Sequence, residues 1–187
     1  MLKYIEEFKK CIAIVGFKNV EIKNVQEFLE KIRKQTPPET EAQFFNGDLV
    51  ATWQHLYFAV LNALTAFKNK SNISKSLAVE TMLYASAQHQ IRKAVELLGI
   101  KPGMRNIAMV VLGRGVETVE AVIAAVPRSA KVQVDDSVLK MSEAKARNIR
   151  ETFEISDTEL ETMKKDSVEE ALVDLVIERM ALLATQR

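Results

Sequence analysis

At 187 residues, with 48% hydrophobic and 27% charged side chains, the chain carries enough apolar material for one domain with a full-sized core. A formal net charge of +1 leaves no whole-molecule field to steer a polyanion. No stretch reaches the roughly 18 consecutive apolar residues of a membrane span, and the alternating start is no signal peptide, so a cytoplasmic protein is expected.

Cys11, the single cysteine, excludes an internal disulfide and a cysteine-based zinc cluster, and its place in an apolar run predicts a buried thiol. That run, residues 11–17, is rich in β-branched side chains and predicts a buried strand. Asn24, with Glu27 three residues on, signals the start of a helix whose apolar stripe is Val25, Phe28, Leu29 and Ile32. Thr36-Pro37-Pro38 stops it, because proline has no amide proton and disfavours a helical residue before it. A short strand is expected over 42–46. Asp48 is the expected N-cap of a long central helix to about Lys68, with Leu49, Trp53, Leu56, Val60, Leu64 and Phe67 spaced by three or four and Phe58 and Leu61 widening the arc. Beside that stripe lies a second of small or polar residues, Thr52, His55, Ala59, Asn62 and Ala66, where another element or a ligand can approach.

A polar connection from Lys68 to Ser76 leads into a helix over 77–84, and after Ser86 a further helix runs to Leu98, with Gly99 as a left-handed stop. Residues 106–112 predict the most convincing buried strand. Gly113-Arg114-Gly115 then turns the chain into a helix on Val116, Val119, Val122, Ile123 and Val126, which Pro127 ends, and 130–134 predict a partly exposed strand. Ser156 with Glu159, and Ser167 with Glu170, start two more helices. Strands alternating with helices, followed by 137–187 as an all-helical part, predict a helix-rich α/β (α+β) single domain over 1–187. Its small three- to four-stranded sheet is flanked by helices.

Catalytic signatures are missing. Two histidines, His55 and His89, and one cysteine assemble neither a nucleophile set nor a metal cluster, so no catalytic residue, metal or cofactor is assigned. Gly113-Arg114-Gly115 reads as a turn, and Asp135-Asp136-Ser137 reads as helix-starting side chains before it reads as a cation site. Charge is uneven. Residues 68–105 hold Lys68, Lys70, Lys75, Arg92, Lys93, Lys101 and Arg105 against Glu80 and Glu96, whereas 135–187 hold 13 acidic and 8 basic side chains. These are either solvated faces of different sign or a bipolar surface with one polyanion-facing side.

Within the basic part, Ser86 is placed to cap the following helix, so that first-turn amides near Gln88, His89 and Gln90 point outward where the helix dipole favours an anion. The alternative is an ordinary surface helix with Ile91, Val95 and Leu98 facing the core. In the last helix Leu172, Leu175, Val176, Met180 and Leu183 form one stripe, with Val173, Ile177 and Ala181 beside it. That helix is either deeply buried or shared with a partner.

The runs Asp48–Thr52 to His55, Glu80-Thr81-Met82-Leu83-Tyr84-Ala85-Ser86-Ala87-Gln88-His89-Gln90-Ile91, Gly99-Ile100, Asp135–Leu139 and Ile149–Phe153 together resemble the TPRKB family of KEOPS complex subunits, in its archaeal form. The most specific portion is an Ala-Ser-Gly-x-Arg-Gln-Ile type of motif, with Ala87 at its glycine and His89 at its arginine. The resemblance implies a non-catalytic regulatory subunit of the assembly that makes threonylcarbamoyladenosine beside the anticodon of tRNA. Such a subunit binds the complex's kinase/ATPase and grips the single-stranded 3′ CCA end of tRNA. Carried over, RNA contacts are expected from Ser86, Gln88, His89, Gln90 and Arg92, with Thr52 and His55 on the neighbouring helix; where Ala87 and His89 depart from the motif, Lys68, Lys70 and Lys75 are the expected contacts instead. The apolar last helix, through Leu172, Leu175, Val176, Ile177 and Met180, is the expected kinase contact. Two other readings stay open: a protein-only regulator of an atypical kinase that never touches RNA, and a small-molecule enzyme with its site between His55 and Ser86.

Overall fold

In the computed structural model, which describes residues 1–185, the apolar run 11–17 forms the middle of a long strand, β2 (Lys10–Glu21). β2 lies between β1 (Leu2–Ile5) and β4 (Ile107–Gly113), β3 (Glu41–Asn46) pairs with the other side of β4, and β5 (Lys131–Val134) pairs with the second half of β2. All pairings are antiparallel. The sheet thus has five strands, one beyond the expected range. The addition is β1, whose four residues are largely exposed and carry no apolar run to announce them.

Strand side chains alternate between faces, and here each face has its own core. Ile12, Ile14, Phe45, Val110 and Leu112 point toward α2 (Trp53–Asn69), α3 (Leu77–Ala85), α4 (Ile91–Leu98), α6 (Glu143–Thr152) and α8 (Val168–Thr185). Cys11, Ala13, Phe17, Phe44, Met109 and Val111 point toward α1 (Val25–Gln35) and α5 (Val116–Ser129). Helices on both sides explain why β2 and β4 are apolar without alternation. A short helix, α7 (Asp157–Thr162), opens with the reciprocal Ser156–Glu159 capping box that its spacing predicts. Asn24 likewise accepts the Glu27 N–H, at 3.1 Å.

Three expected boundaries differ. Asp48 caps no long helix; it sits in a 3-10 turn over Gly47–Leu49, where its carboxylate accepts from the Asn106 side chain at 2.7 Å, and α2 begins only at Trp53. Gly99 is extended, with φ −68°, and is required for space: a Cβ there would lie 2.4 Å from the Val95 carbonyl oxygen. Pro127 lies inside α5, which continues to Ser129, because in a last turn the missing N–H removes a single bond.

Candidate functional site

Ser86 was expected at the start of a helix, and it closes one instead. As the C-cap of α3 it is 1% exposed, and its hydroxyl donates to the carbonyls of Met82 (2.8 Å) and Leu83 (3.1 Å). The next two amides complete a Schellman turn: Ala87 N–H donates to Tyr84 O at 2.9 Å and Gln88 N–H to Leu83 O at 3.0 Å. Ala87 therefore takes the left-handed conformation, φ 51°, which favours glycine. An L side chain there is strained by about 1–2 kcal/mol, partly offset by glycine's larger unfolded-state entropy. Ala87→Gly is accordingly expected to raise the unfolding free energy by about 1 kcal/mol in urea titrations.

Beyond the turn, Gln88 is half-buried while His89, Gln90 and Arg92 are exposed. α4 begins at Ile91 with Gln90 as N-cap, whose side chain makes no capping bond. Ile91 and Val95, expected to face the core, are 43% and 48% exposed, and Ala94 and Leu98 take the inner side. Among the described residues Arg92 pairs with Glu96, at 2.9 Å, in a solvated pair that yields readily to another anion.

Behind this loop stands His55, which is wholly buried. Its Nδ1 accepts the Ala51 N–H at 3.2 Å, so the proton sits on Nε2, which donates to Ala85 O at 2.8 Å. Phe153 packs on the ring edge-on, at a centroid distance of 5.8 Å. Desolvation holds the imidazole pKa down from 6.5 to about 4, so it is neutral near pH 7. With both ring nitrogens engaged inside the protein, His55 is a strut between the entry to α2 and the end of α3. Thr52, the N-cap of α2, is half-buried, and its enclosed Oγ1 has no partner among the described residues. His55 meets the 85–92 segment at Ala85, from inside, whereas Thr52 lines a pocket with Gln54, Met141 and residues of α8.

Lys68, Lys70 and Lys75 are exposed at the opposite end of α2. A helix of 17 residues rises about 25 Å, which parts Lys68 and Lys70 from the loop at residues 88–92, and the nine residues of α3, about 14 Å long, part Lys75 from it. Lys68 holds Glu7 at 2.7 Å. The connection bearing Lys75 is ordered by Glu80, a fully buried carboxylate that accepts the N–H groups of Ile73 (3.1 Å) and Ser74 (2.8 Å).

The α8 residues expected to meet the kinase lie mostly in the core. Leu172, Leu175, Val176 and Met180 are at most 3% exposed, packed in the core that α8 shares with α2, α3 and α6, and Ile177 is half-buried against it. An apolar residue on every side means, for this helix, neighbours on most sides. α8 leaves Val168 and Leu182 exposed at its two ends, and exposed aromatic side chains lie on α2, where Trp53 and Phe58 are each 40% exposed. Trp53 and Tyr57 meet at 6.0 Å between centroids with their planes tilted by 56°, Phe58 meets Tyr57 edge-on at 6.0 Å, and the Lys3 ammonium sits 5.0 Å from the Tyr57 ring centre. Sequence periodicity placed Trp53 and Phe58 in the core, and nothing local distinguishes them from Leu56 or Val60.

Asp135 and Asp136 tie a loop to β2: Asp136 accepts the Gly16 N–H at 2.9 Å, and Asp135 accepts the Ser137 N–H at 2.9 Å and pairs with Lys18 at 3.3 Å. Among the described residues no group of three His, Cys, Asp or Glu side chains is placed to hold a metal, and no helix is long and apolar enough to cross a membrane.

A five-stranded antiparallel sheet between two helical layers, presenting a locked polar turn and an exposed aromatic stripe, defines a small α+β protein whose distinctive features are surfaces. The chain belongs to the family described as Kinase binding protein CGI-121, which its residues 17–184 match. Regulatory protein Cgi121 of the archaeon Methanocaldococcus jannaschii is 36% identical to it over 113 residues, which are 60% of this chain and 70% of that protein. The family and the archaeal character read from the sequence are those found.

Proposed function

We propose that the protein is a non-catalytic, cytoplasmic regulatory subunit of the KEOPS complex, which installs threonylcarbamoyladenosine in tRNA. It holds two partners, the complex's kinase/ATPase subunit and the 3′ CCA end of tRNA. The observation that carries the RNA part is the turn after α3. Its base, Ala85 and Ser86, is locked in the core by His55 and by the Ser86 hydroxyl, so Gln88, His89, Gln90 and Arg92 project from a rigid platform. Amides supply directional bonds to base edges, an imidazole stacks on a flat base, and a guanidinium meets phosphate, which together suit a short single strand. The kinase part rests on the family description and on the aromatic stripe of α2, since aromatic anchors dominate protein interfaces.

Gel-shift titration with tRNA and with tRNA lacking its CCA tests the first contact. Removal of the tail is expected to weaken binding at least tenfold, as is Gln88→Ala combined with Arg92→Ala, with the urea midpoint unchanged. The remote Lys68, Lys70 and Lys75, replaced together by alanine, are expected to cost only a few-fold and to reduce the salt dependence. Equal affinity for both RNAs would leave the protein-only reading, which the separation of these lysines from the turn favours.

A further inference from the structure

The outer edge of β3 is open in a particular register. Gly47 N–H donates to Asn106 O at 3.0 Å, and the ladder continues as Phe45↔Ala108, Gln43↔Val110 and Glu41↔Leu112. In an antiparallel pair alternate residues exchange both backbone bonds, so these odd-numbered positions face β4 and the backbone groups of Ala42 and Phe44 face outward. The Gln43 side-chain amide covers one of them, the Phe44 carbonyl, at 3.2 Å. The N–H groups of Ala42 and Phe44 and the Ala42 carbonyl keep no partner among the described residues.

This edge lines a groove of about 370 Å³, walled by Leu29, Ile32 and Arg33 of α1 and by Ala78 and Val79 of α3. Its single lining acid, Glu41, is already used: its carboxylate accepts the Ser76 hydroxyl and the N–H groups of Leu77 and Ala78. Arg33 is exposed and has no ion pair among the described residues, which leaves the groove with an unmet cation.

We propose that this groove takes an extended segment of a partner protein as an added strand beside β3. The segment bonds through its main chain to Ala42 and Phe44, packs small or β-branched side chains on Leu29 and Val79, and places a carboxylate side chain on Arg33. Donors and acceptor repeating every second residue are matched by another extended backbone; a helix has its own backbone groups engaged internally. The open edge is also the feature of a sheet that most readily templates such pairing.

The test titrates the ¹⁵N-labelled full chain with the peptide acetyl-Thr-Val-Asp-Val-Thr-amide. Saturable shifts at the Ala42 and Phe44 amides are expected, with hydrogen exchange at both slowed at least tenfold. Ala42→Pro removes an outward N–H while sparing the ladder, and is expected to weaken binding at least tenfold. A peptide with Lys for Asp should bind about tenfold more weakly, and Arg33→Glu should reverse that preference. A fully N-methylated peptide is expected to give no shifts, which provides a control independent of how the proline variant folds. Absence of saturable shifts at millimolar peptide overturns the proposal, as do shifts that survive N-methylation. A concentration-dependent dimer abolished by Ala42→Pro would overturn it too, assigning the edge to a second copy of the chain.

Discussion

Replacing His55 by alanine is expected to lower the unfolding free energy by about 4 kcal/mol. The ring is fully buried, and its removal leaves the Ala51 N–H and the Ala85 carbonyl without their partners. Each such group costs about 1–3 kcal/mol, and a cavity adds to it. The same residue sets a pH dependence. With a folded pKa depressed from 6.5 to about 4, the unfolded chain takes up a proton that the folded one refuses. Stability from this site is complete above pH 6.5 and is lost as pH falls toward 4, about 3 kcal/mol in all at ~1.4 kcal/mol per unit. Urea titrations at pH 7.5, 5.5 and 4.5 are expected to show that loss, and His55→Gln, which has no proton to take up, is expected to flatten it. A wild-type stability that stays level between pH 6.5 and 4.5 would contradict the buried neutral ring. Glu159 does not confuse the result. The Ser156 backbone N–H, then Arg179, hold its carboxyl down to about 2, so its contribution is present above its ordinary value of 4.5 and is lost only below it.

The second large effect separates two candidate docking faces. Trp53→Glu combined with Phe58→Glu is expected to weaken kinase binding at least a hundredfold, while the folded protein loses no more than about 1 kcal/mol, because both positions already meet solvent. Leu175→Glu puts a carboxylate where the side chain is 3% exposed, among Val176, Met180 and the helices around them. That change is expected to cost about 4 kcal/mol or more and to leave little folded protein to assay. Pull-down with the purified kinase subunit, scored beside circular dichroism, distinguishes them. A folded Leu175→Glu protein that has lost the kinase, set against a Trp53/Phe58 double variant that retains it, would return the contact to α8.

Several elements were legible because their signals are local. The β-branched run of β2, the Asn24 cap and the Ser156–Glu159 box lie within a few residues of the structure they specify. At Ala87 the left-handed conformation, φ 51°, comes from the turn that closes α3, which the alanine by itself does not announce. The role of Ser86 is not legible locally, because serine serves equally to begin a helix and to back-bond within its last turn, as it does here to Met82 and Leu83.

By itself the sequence determined the family, the order of most strands and helices, and the polar segment that follows α3, since each rests on neighbours in the chain. Tertiary structure alone decided which apolar residues are surface. α2 and α8 are apolar around most of their circumference, and only the packing of other elements leaves Trp53 outside and Leu175 inside. It also decided that His55 is a strut, because one of its two partners, Ala85, stands 30 residues away and is reached only when α3 folds back along α2.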